Sequence, residues 1–289
     1  MFKSKSRIAI VSTALVALLA LAGCGQAAAP QGAAQSATID KKTITAAGST
    51  ALQPLAQAAA KDFMAKNNGV QVNISGGGSF TGLNNVASGS VDIGSSDVTV
   101  DSAPDLKDKG LVDHQVAVEP FLIIVNKDVT VDDLSQAQLT DIFTGKITNW
   151  KEVGGKDVKI TIIGRAASSG SRATISKVVM GGKDFTSAAT AQDSTGNLIT
   201  GVAQTPGSIG YIDAAYLKDT VKALKYNGVA YSADAVISGK YPIYAFGHMY
   251  TKGEATGTVK AYLDYIMSAD FQNANVEKAG FIPVSKMKK

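Results

Sequence analysis

The chain is poor in the residues that most often carry covalent or metal chemistry. Among 289 residues it has one cysteine (Cys24), one tryptophan (Trp150) and two histidines (His114 and His248). A lone cysteine cannot close an intrachain disulfide, so the fold must rest on its apolar core. HExxH and CxxC spacings and a Gly-x-Ser-x-Gly elbow are all missing, which removes the commonest zinc and serine-nucleophile constellations. No catalytic residue, cofactor or metal is therefore expected. The two histidines read as surface or interface residues, and Trp150 as a packing residue.

Arginine is the second scarcity. Only Arg7, Arg165 and Arg172 occur, against many lysines. Long apolar runs are also rare, and one stands out: Lys3, Lys5 and Arg7 precede an apolar stretch from Ile8 to Leu21, followed by Ala22-Gly23-Cys24. About fourteen apolar residues fall short of the roughly twenty that span a bilayer, so 1–23 is expected to be a secretory signal. The Leu-Ala-Gly-Cys run resembles a bacterial lipobox, which implies lipidation of Cys24. Residues 24–42, rich in Ala, Gln, Gly and Ser, read as a tether. Removing the three basic residues of the signal leaves 28 − 3 = 25 basic against 24 acidic side chains. A net charge near +1 provides no field for non-specific nucleic-acid binding.

From residue 43 onward short β-like runs alternate with helix-like runs, the pattern of an α/β fold with a largely parallel sheet. Thr43–Ala46 reads as a strand, followed by a helix with Leu52, Leu55, Ala59 and Phe63 on one face and Asn67-Asn68-Gly69 at its end. Val70, Val72 and Ile74 alternate before Gly76-Gly77-Gly78-Ser79 and a short helix carrying Phe80, Leu83 and Val86. Val91–Gly94 leads to Ser95-Ser96-Asp97, and Val116–Val125 reads as a central strand that could cross between lobes. Val158–Ile163, the loop 164–171 and a helix from about Arg172 to Met180 form the third unit.

In open α/β sheets ligands bind beyond the carboxyl ends of strands, where helix N-termini present free N–H groups and a positive dipole end. Ser49-Thr50-Ala51, Ser79 and Ser169-Gly170-Ser171 fall at such places. Each hydroxyl is open to two readings, a helix cap or a donor to a bound oxygen. Together they point to an anion site. Arg165 and Arg172 bracket the last of these segments, and a guanidinium fork matches phosphate oxygens better than an ammonium does. Either arginine could instead form an ion pair with an acidic neighbour, a reading that suits Arg172 at a helix start. Asp97 is a turn cap or, in an anion site, the acceptor for a proton on the ligand. Phosphate near neutral pH carries such a proton and sulfate does not, so a carboxylate there would discriminate between them.

Ala47 to Leu52, Ile93 to Asp97, the run Leu139 to Trp150, Gly164-Arg165 with Ser169 to Arg172, Gly207 to Tyr211, Tyr241-Pro242-Ile243 and Ala279 to Pro283 together resemble the PstS-type binding proteins of bacterial phosphate ABC transporters. The Phe143-Thr144-Gly145 to Trp150 segment is the most specific part. The resemblance implies a type II periplasmic-binding-protein fold of two lobes. Each lobe would be a mixed, mostly parallel sheet flanked by helices, with the ligand between them. Lobe 1 would be about 43–121 plus 243–289, and lobe 2 about 122–242. Ser49, Thr50, the Ala51 N–H, Ser79 and Asp97 would bind phosphate from lobe 1, and Arg165, Ser169, Gly170 and Ser171 from lobe 2. The expected partners are inorganic phosphate, the permease subunits of an ABC importer and, through the lipid, the outer face of the cell membrane, with the protein a monomer. Another oxyanion such as sulfate or molybdate, a surface phosphatase, or an adhesin or sensor role are the competing readings.

Overall fold

The computed structural model describes residues 38–287. The expectations for the signal and for Cys24 lie outside them. Among the described residues no helix is long and apolar enough to cross a membrane.

The first half opens with β1 (Thr43–Gly48), α1 (Gln53–Lys66), β2 (Gln71–Gly77), α2 (Ser79–Ser88), β3 (Ile93–Ser96) and β4 (Leu111–Val125). Then follow β5 (Asp133–Leu134), α3 (Gln136–Phe143), β6 (Thr161–Arg165), α4 (Gly170–Val178), β7 (Thr190–Gln192), α5 (Thr195–Gln204) and β8 (Ser208–Asp213). Two short strands, β9 (Lys222–Ala223) and β10 (Lys225–Tyr226), precede α6 (Ala233–Ile237), β11 (Tyr244–Lys252) and α7 (Gly257–Met267).

The strand order β2-β1-β3-β11-β4-β8-β6-β7 places two parallel sets on either side of a pair of shared strands. In the first lobe β1 runs parallel to β2 and β3, because α1 and α2 carry the chain back over the sheet each time. In the second, β6 runs parallel to β7 and β8 in the same way. Parallel pairing is less general than the sequence suggested. Every ladder in the main sheet that involves β4 or β11 is antiparallel, since these strands carry the chain between lobes rather than around one of them. Leu111 to Pro120 of β4 pair with β11, and Phe121 to Val125 pair with β8. The change of partner falls next to Pro120, which has no N–H to give to a ladder. The long apolar run was thus readable as a crossing strand.

Each lobe has its own core. Leu55, Ala59 and Phe63 of α1 pack with Ile44, Tyr262, Leu263 and Phe271, and the Phe63 and Tyr262 rings meet edge to face at 5.5 Å. Ser49 Oγ accepts the Ala51 and Leu52 amides just before α1. At its end the Asn67 carboxamide donates to Phe63 O at 2.8 Å. The second core gathers Phe121 to Val125, Leu139, Ile142, Phe143 and Trp150. Burial of one such side chain contributes roughly 1.5–3 kcal/mol. The segment Leu139 to Trp150 belongs to this scaffold: Ser135 and Gln138 form a capping box on α3, Phe143 packs edge-on to Tyr211, and Trp150 Nε1 donates to Gly207 O at 2.8 Å. Trp150 is a packing residue, as its sequence context implied.

Two local expectations change. His248 is buried, because its place on β11 turns it inward, where Nδ1 meets Asp113 at 2.8 Å and the ring stacks on Tyr250. Among the described residues of the expected tether, Asp40 and Lys41 are docked: Asp40 accepts the Thr258 amide at 2.9 Å, and both main-chain amides reach Thr258 Oγ1.

Candidate functional site: four helix starts in the interlobe cleft

The N-termini of α1, α2, α4 and α5 meet where the two lobes face each other, and the side chains there are almost dry. Ser49, Thr50, Ala51, Ser79, Asp97, Arg165, Ser169 and Ser171 are all buried, and Gly170 lies among them. Four helix ends aimed at one volume give it a positive bias without a cluster of lysines.

Arg165 is the centre of the arrangement. It ends β6, is 2 % exposed, and donates through Nη1 to Thr195 Oγ1 and through Nη2 to Thr50 Oγ1, both at 3.0 Å. Nε donates to Gln192 O at 3.3 Å and Nη2 to Asp193 O at 3.2 Å, so the fork is braced by its own lobe while it reaches the other. Burial pulls its pKa below the ordinary value, and the attraction of Asp97 opposes the shift. A guanidinium starts so high that it remains a cation. Among the described residues it is the buried cation of the molecule.

Asp97 sits just past β3. Its amide donates to Ser79 Oγ at 2.9 Å, and Oδ2 accepts from Ser171 Oγ, in the other lobe, at 2.8 Å. Its other oxygen, Oδ1, is buried without a partner in the structure. Such an atom costs about 1–3 kcal/mol unless something donates to it. Thr50 spans the lobes from the other end: its Oγ1 takes the Thr195 amide at 3.1 Å and lies 3.0 Å from Thr195 Oγ1, while its carbonyl accepts from Tyr216 OH at 2.7 Å. A main-chain bond from Phe80 N to Ser168 O at 3.1 Å adds to the closure. Gly170 is packed so closely that a Cβ there would overlap Ser79 Oγ and come within 3.0 Å of Asp97 Cβ.

The remaining expected residues have local duties as well. Ser169 caps α4 by accepting the Arg172 amide at 3.2 Å. Ser49 engages the Ala51 amide at 3.0 Å, so delivery of that N–H to a ligand requires the serine to share it. Arg172 does not form the ion pair considered for it. No salt bridge to it occurs among the described residues; Nη1 donates to Arg165 O at 3.0 Å, and the guanidinium lies 4.6 Å from the Phe185 ring. It supports Arg165 from behind. Tyr211 does so too, its hydroxyl accepting the Arg165 amide at 3.1 Å, and burial pushes that phenol up to about 12.

Sequence reasoning missed Thr195. A signal was present, because Asp193-Ser194-Thr195-Gly196 after β7 repeats the Ser/Thr/Gly strand-to-helix turn seen at the other three sites, and Ser194 caps α5. It also missed the buried acids Glu119 and Asp213. A cavity of about 550 Å³ beside Ser135, Asp141 and Lys183 contains none of the expected site residues. A smaller one of about 210 Å³, bordered by Asp97, Thr99, Thr174, Lys177 and His248, adjoins the cleft.

Two α/β lobes joined by crossing strands, with helix starts around a buried guanidinium, define a bilobal binding protein for a small anionic solute. The profile of the PBP superfamily domain matches residues 28–270. A curated relative, the phosphate-binding protein PstS of Bacillus subtilis (strain 168), is 43 % identical over 289 residues, covering 98 % of this chain and 96 % of the relative. The chain belongs to the PstS family. The PstS of Borreliella burgdorferi is 27 % identical, covering 85 % of this chain and 91 % of that protein. A Clostridium perfringens substrate-binding protein solved with bound phosphate superposes with a TM-score of 0.79 at 32 % identity, covering 84 % of this chain and 99 % of that one. An ABC-type phosphate transport receptor from Vibrio cholerae superposes with a TM-score of 0.68 at 25 % identity, covering 83 % of this chain and 99 % of that one.

Proposed function

We propose that this protein captures inorganic phosphate between its lobes and delivers it to the membrane subunits of an ABC importer, acting as a carrier and not as an enzyme. The observation that carries the reading is the juxtaposition of one buried guanidinium, Arg165, with hydroxyls from both lobes and, within the same cleft, the acceptor Asp97 held by Ser171. The 43 % identity to a protein named for phosphate binding supports it. Ser49, Thr50, the Ala51 amide, Ser79 and Asp97 contact the anion from 43–121 plus 243–289. Arg165, Ser169, Gly170 and Ser171 contact it from 122–242, and Thr195 joins them. Phosphate first meets one open lobe, and rigid-body closure brings the other onto it. The direct contacts between Thr50 and Arg165 and between Asp97 and Ser171 are those of a closed pair of lobes. Charge is balanced by helix ends, hydroxyls and one fixed cation, so affinity depends weakly on salt.

The ligand's own proton donates to Asp97, which excludes sulfate. Calorimetric titration tests this: the wild type binds phosphate and rejects sulfate, while Asp97→Asn weakens phosphate and tolerates sulfate. Equal affinity of the wild type for the two anions, or none for phosphate, overturns the reading. A carrier releases no product from an aryl phosphate, so steady turnover of one would establish a phosphatase. Lipidation of Cys24 holds the monomeric protein on the outer face of the membrane, and Cys24→Ser releases it into the soluble fraction.

A further inference from the structure

Behind the cleft lies a group of buried acids that the phosphate reading does not use. Glu119 is fully buried on β4, opposite Ala245 of β11 and next to Pro120, where the chain passes between lobes. Neither of its carboxyl oxygens has a hydrogen-bond donor from the protein. Its carboxyl lies within hydrogen-bonding reach of the Asp97 carboxyl, whose Oδ1 lacks a donor as well. The space is kept for it: a Cβ at Gly247 would stand 2.6 Å from Glu119 Oε1. Asp213, at the end of β8, faces the same volume with Oδ2 unpartnered, while its Oδ1 takes the Ala215 amide at 2.7 Å.

Two buried carboxyls in contact with no donor between them are unstable as a pair of anions, and one proton held between them supplies the donor that Asp97 Oδ1 lacks and leaves a single negative charge. Which carboxyl keeps it follows from the surroundings. Asp97 has Ser171 as donor and Arg165 as attracting cation. Glu119 has neither; it is faced by Asp97, by Asp213 and by the phenol of Tyr216. Burial first, and then the charges of Asp97 and Asp213, raise its pKa well above the ordinary glutamate value.

We infer that Glu119 is a neutral positioning residue, its acid proton donated to Asp97 so that Asp97 is fixed as the acceptor for the ligand's proton. The inference deepens the phosphate reading and rests on it for its functional consequence. A carboxylate that receives one bond from Glu119 and one from Ser171 has its orientation set by both lobes. With Glu119 neutral, the cleft presents Asp97 and Arg165 as a balanced pair. Ionising Glu119 would add a second negative charge beside the incoming anion.

The experiment combines an infrared readout with binding. In the full-length wild type, the C=O stretch of a protonated carboxylic acid persists at neutral pH, and Glu119→Gln removes one such band. Glu119→Gln, which keeps a neutral donor, retains phosphate binding near the wild-type level, whereas Glu119→Leu weakens it by about ten- to a hundredfold. No change of the acid band in Glu119→Gln overturns the inference whether or not phosphate binds. Phosphate binding by Glu119→Gln as weak as that of Glu119→Leu overturns the positioning role. If the wild type fails to bind phosphate, the carrier reading falls, and the infrared result still decides the protonation of Glu119.

Discussion

Replacing Arg165 by lysine keeps the charge and removes the fork. In the closed structure the guanidinium makes two bonds at 3.0 Å, to Thr195 Oγ1 and Thr50 Oγ1, and two longer ones to the carbonyls of Gln192 and Asp193. A lysine ammonium has three N–H donors on a single atom and can keep at most two or three of these four bonds. Losing one or two charge-assisted bonds removes about 1.5–3 kcal/mol each, and every 1.4 kcal/mol is a factor of ten. Closed, ligand-bound protein should therefore weaken by about ten- to ten-thousandfold, with water entering the cleft pulling the value toward the lower end. Calorimetry gives the phosphate affinity, and small-angle scattering with and without phosphate shows whether the lobes still close. An affinity for Arg165→Lys within a few-fold of wild type would refute the view that fork geometry, rather than charge alone, holds the site. The lost bonds to Gln192 and Asp193 also lower stability, so a thermal melt accompanies the titration. If the lysine variant does not fold, Thr50→Val removes one cross-lobe partner and leaves the arginine braced within its own lobe.

Gly170→Ala should abolish or strongly weaken phosphate binding with little change in melting temperature, because the added methyl meets Ser79 and Asp97 only when the lobes are together. Unchanged affinity would show that α4 does not approach α2 in the working state. Stability also depends on pH. Glu119 and Asp213 have folded-state pKa values raised well above normal, first by burial. Between the ordinary carboxylate range and those raised values the folded chain binds more protons than the unfolded chain. Unfolding free energy therefore falls as pH rises, by about 1.4 kcal/mol per pH unit for each proton. Urea titrations from roughly pH 5 to pH 9 should show that fall, and Glu119→Gln should flatten it. Equal slopes would refute the raised value for Glu119.

The local grammar of the chain determined much of this protein. Periods of two and of 3.6, glycine and serine turns, and one long apolar run were enough to place β1, α1, α2 and the crossing strand β4. Hydroxyls immediately before helices, together with an arginine set apart from abundant lysine, singled out Ser49, Ser79, Arg165 and Ser169, which the fold gathers in one cleft. These signals are legible because capping and amphipathicity act over a few residues. Tertiary structure alone decided who meets whom. Thr50 and Thr195 touch across 145 positions of sequence, and Asp97 and Ser171 across 74, because strand order and closure bring their helix starts to one place. Whether Asp97 stood at the surface or in the cleft, and whether Glu119 lay exposed or buried behind it, was likewise decided by the surrounding fold and sets their desolvation. Desolvation is a property of the surrounding volume, and a linear pattern does not encode it.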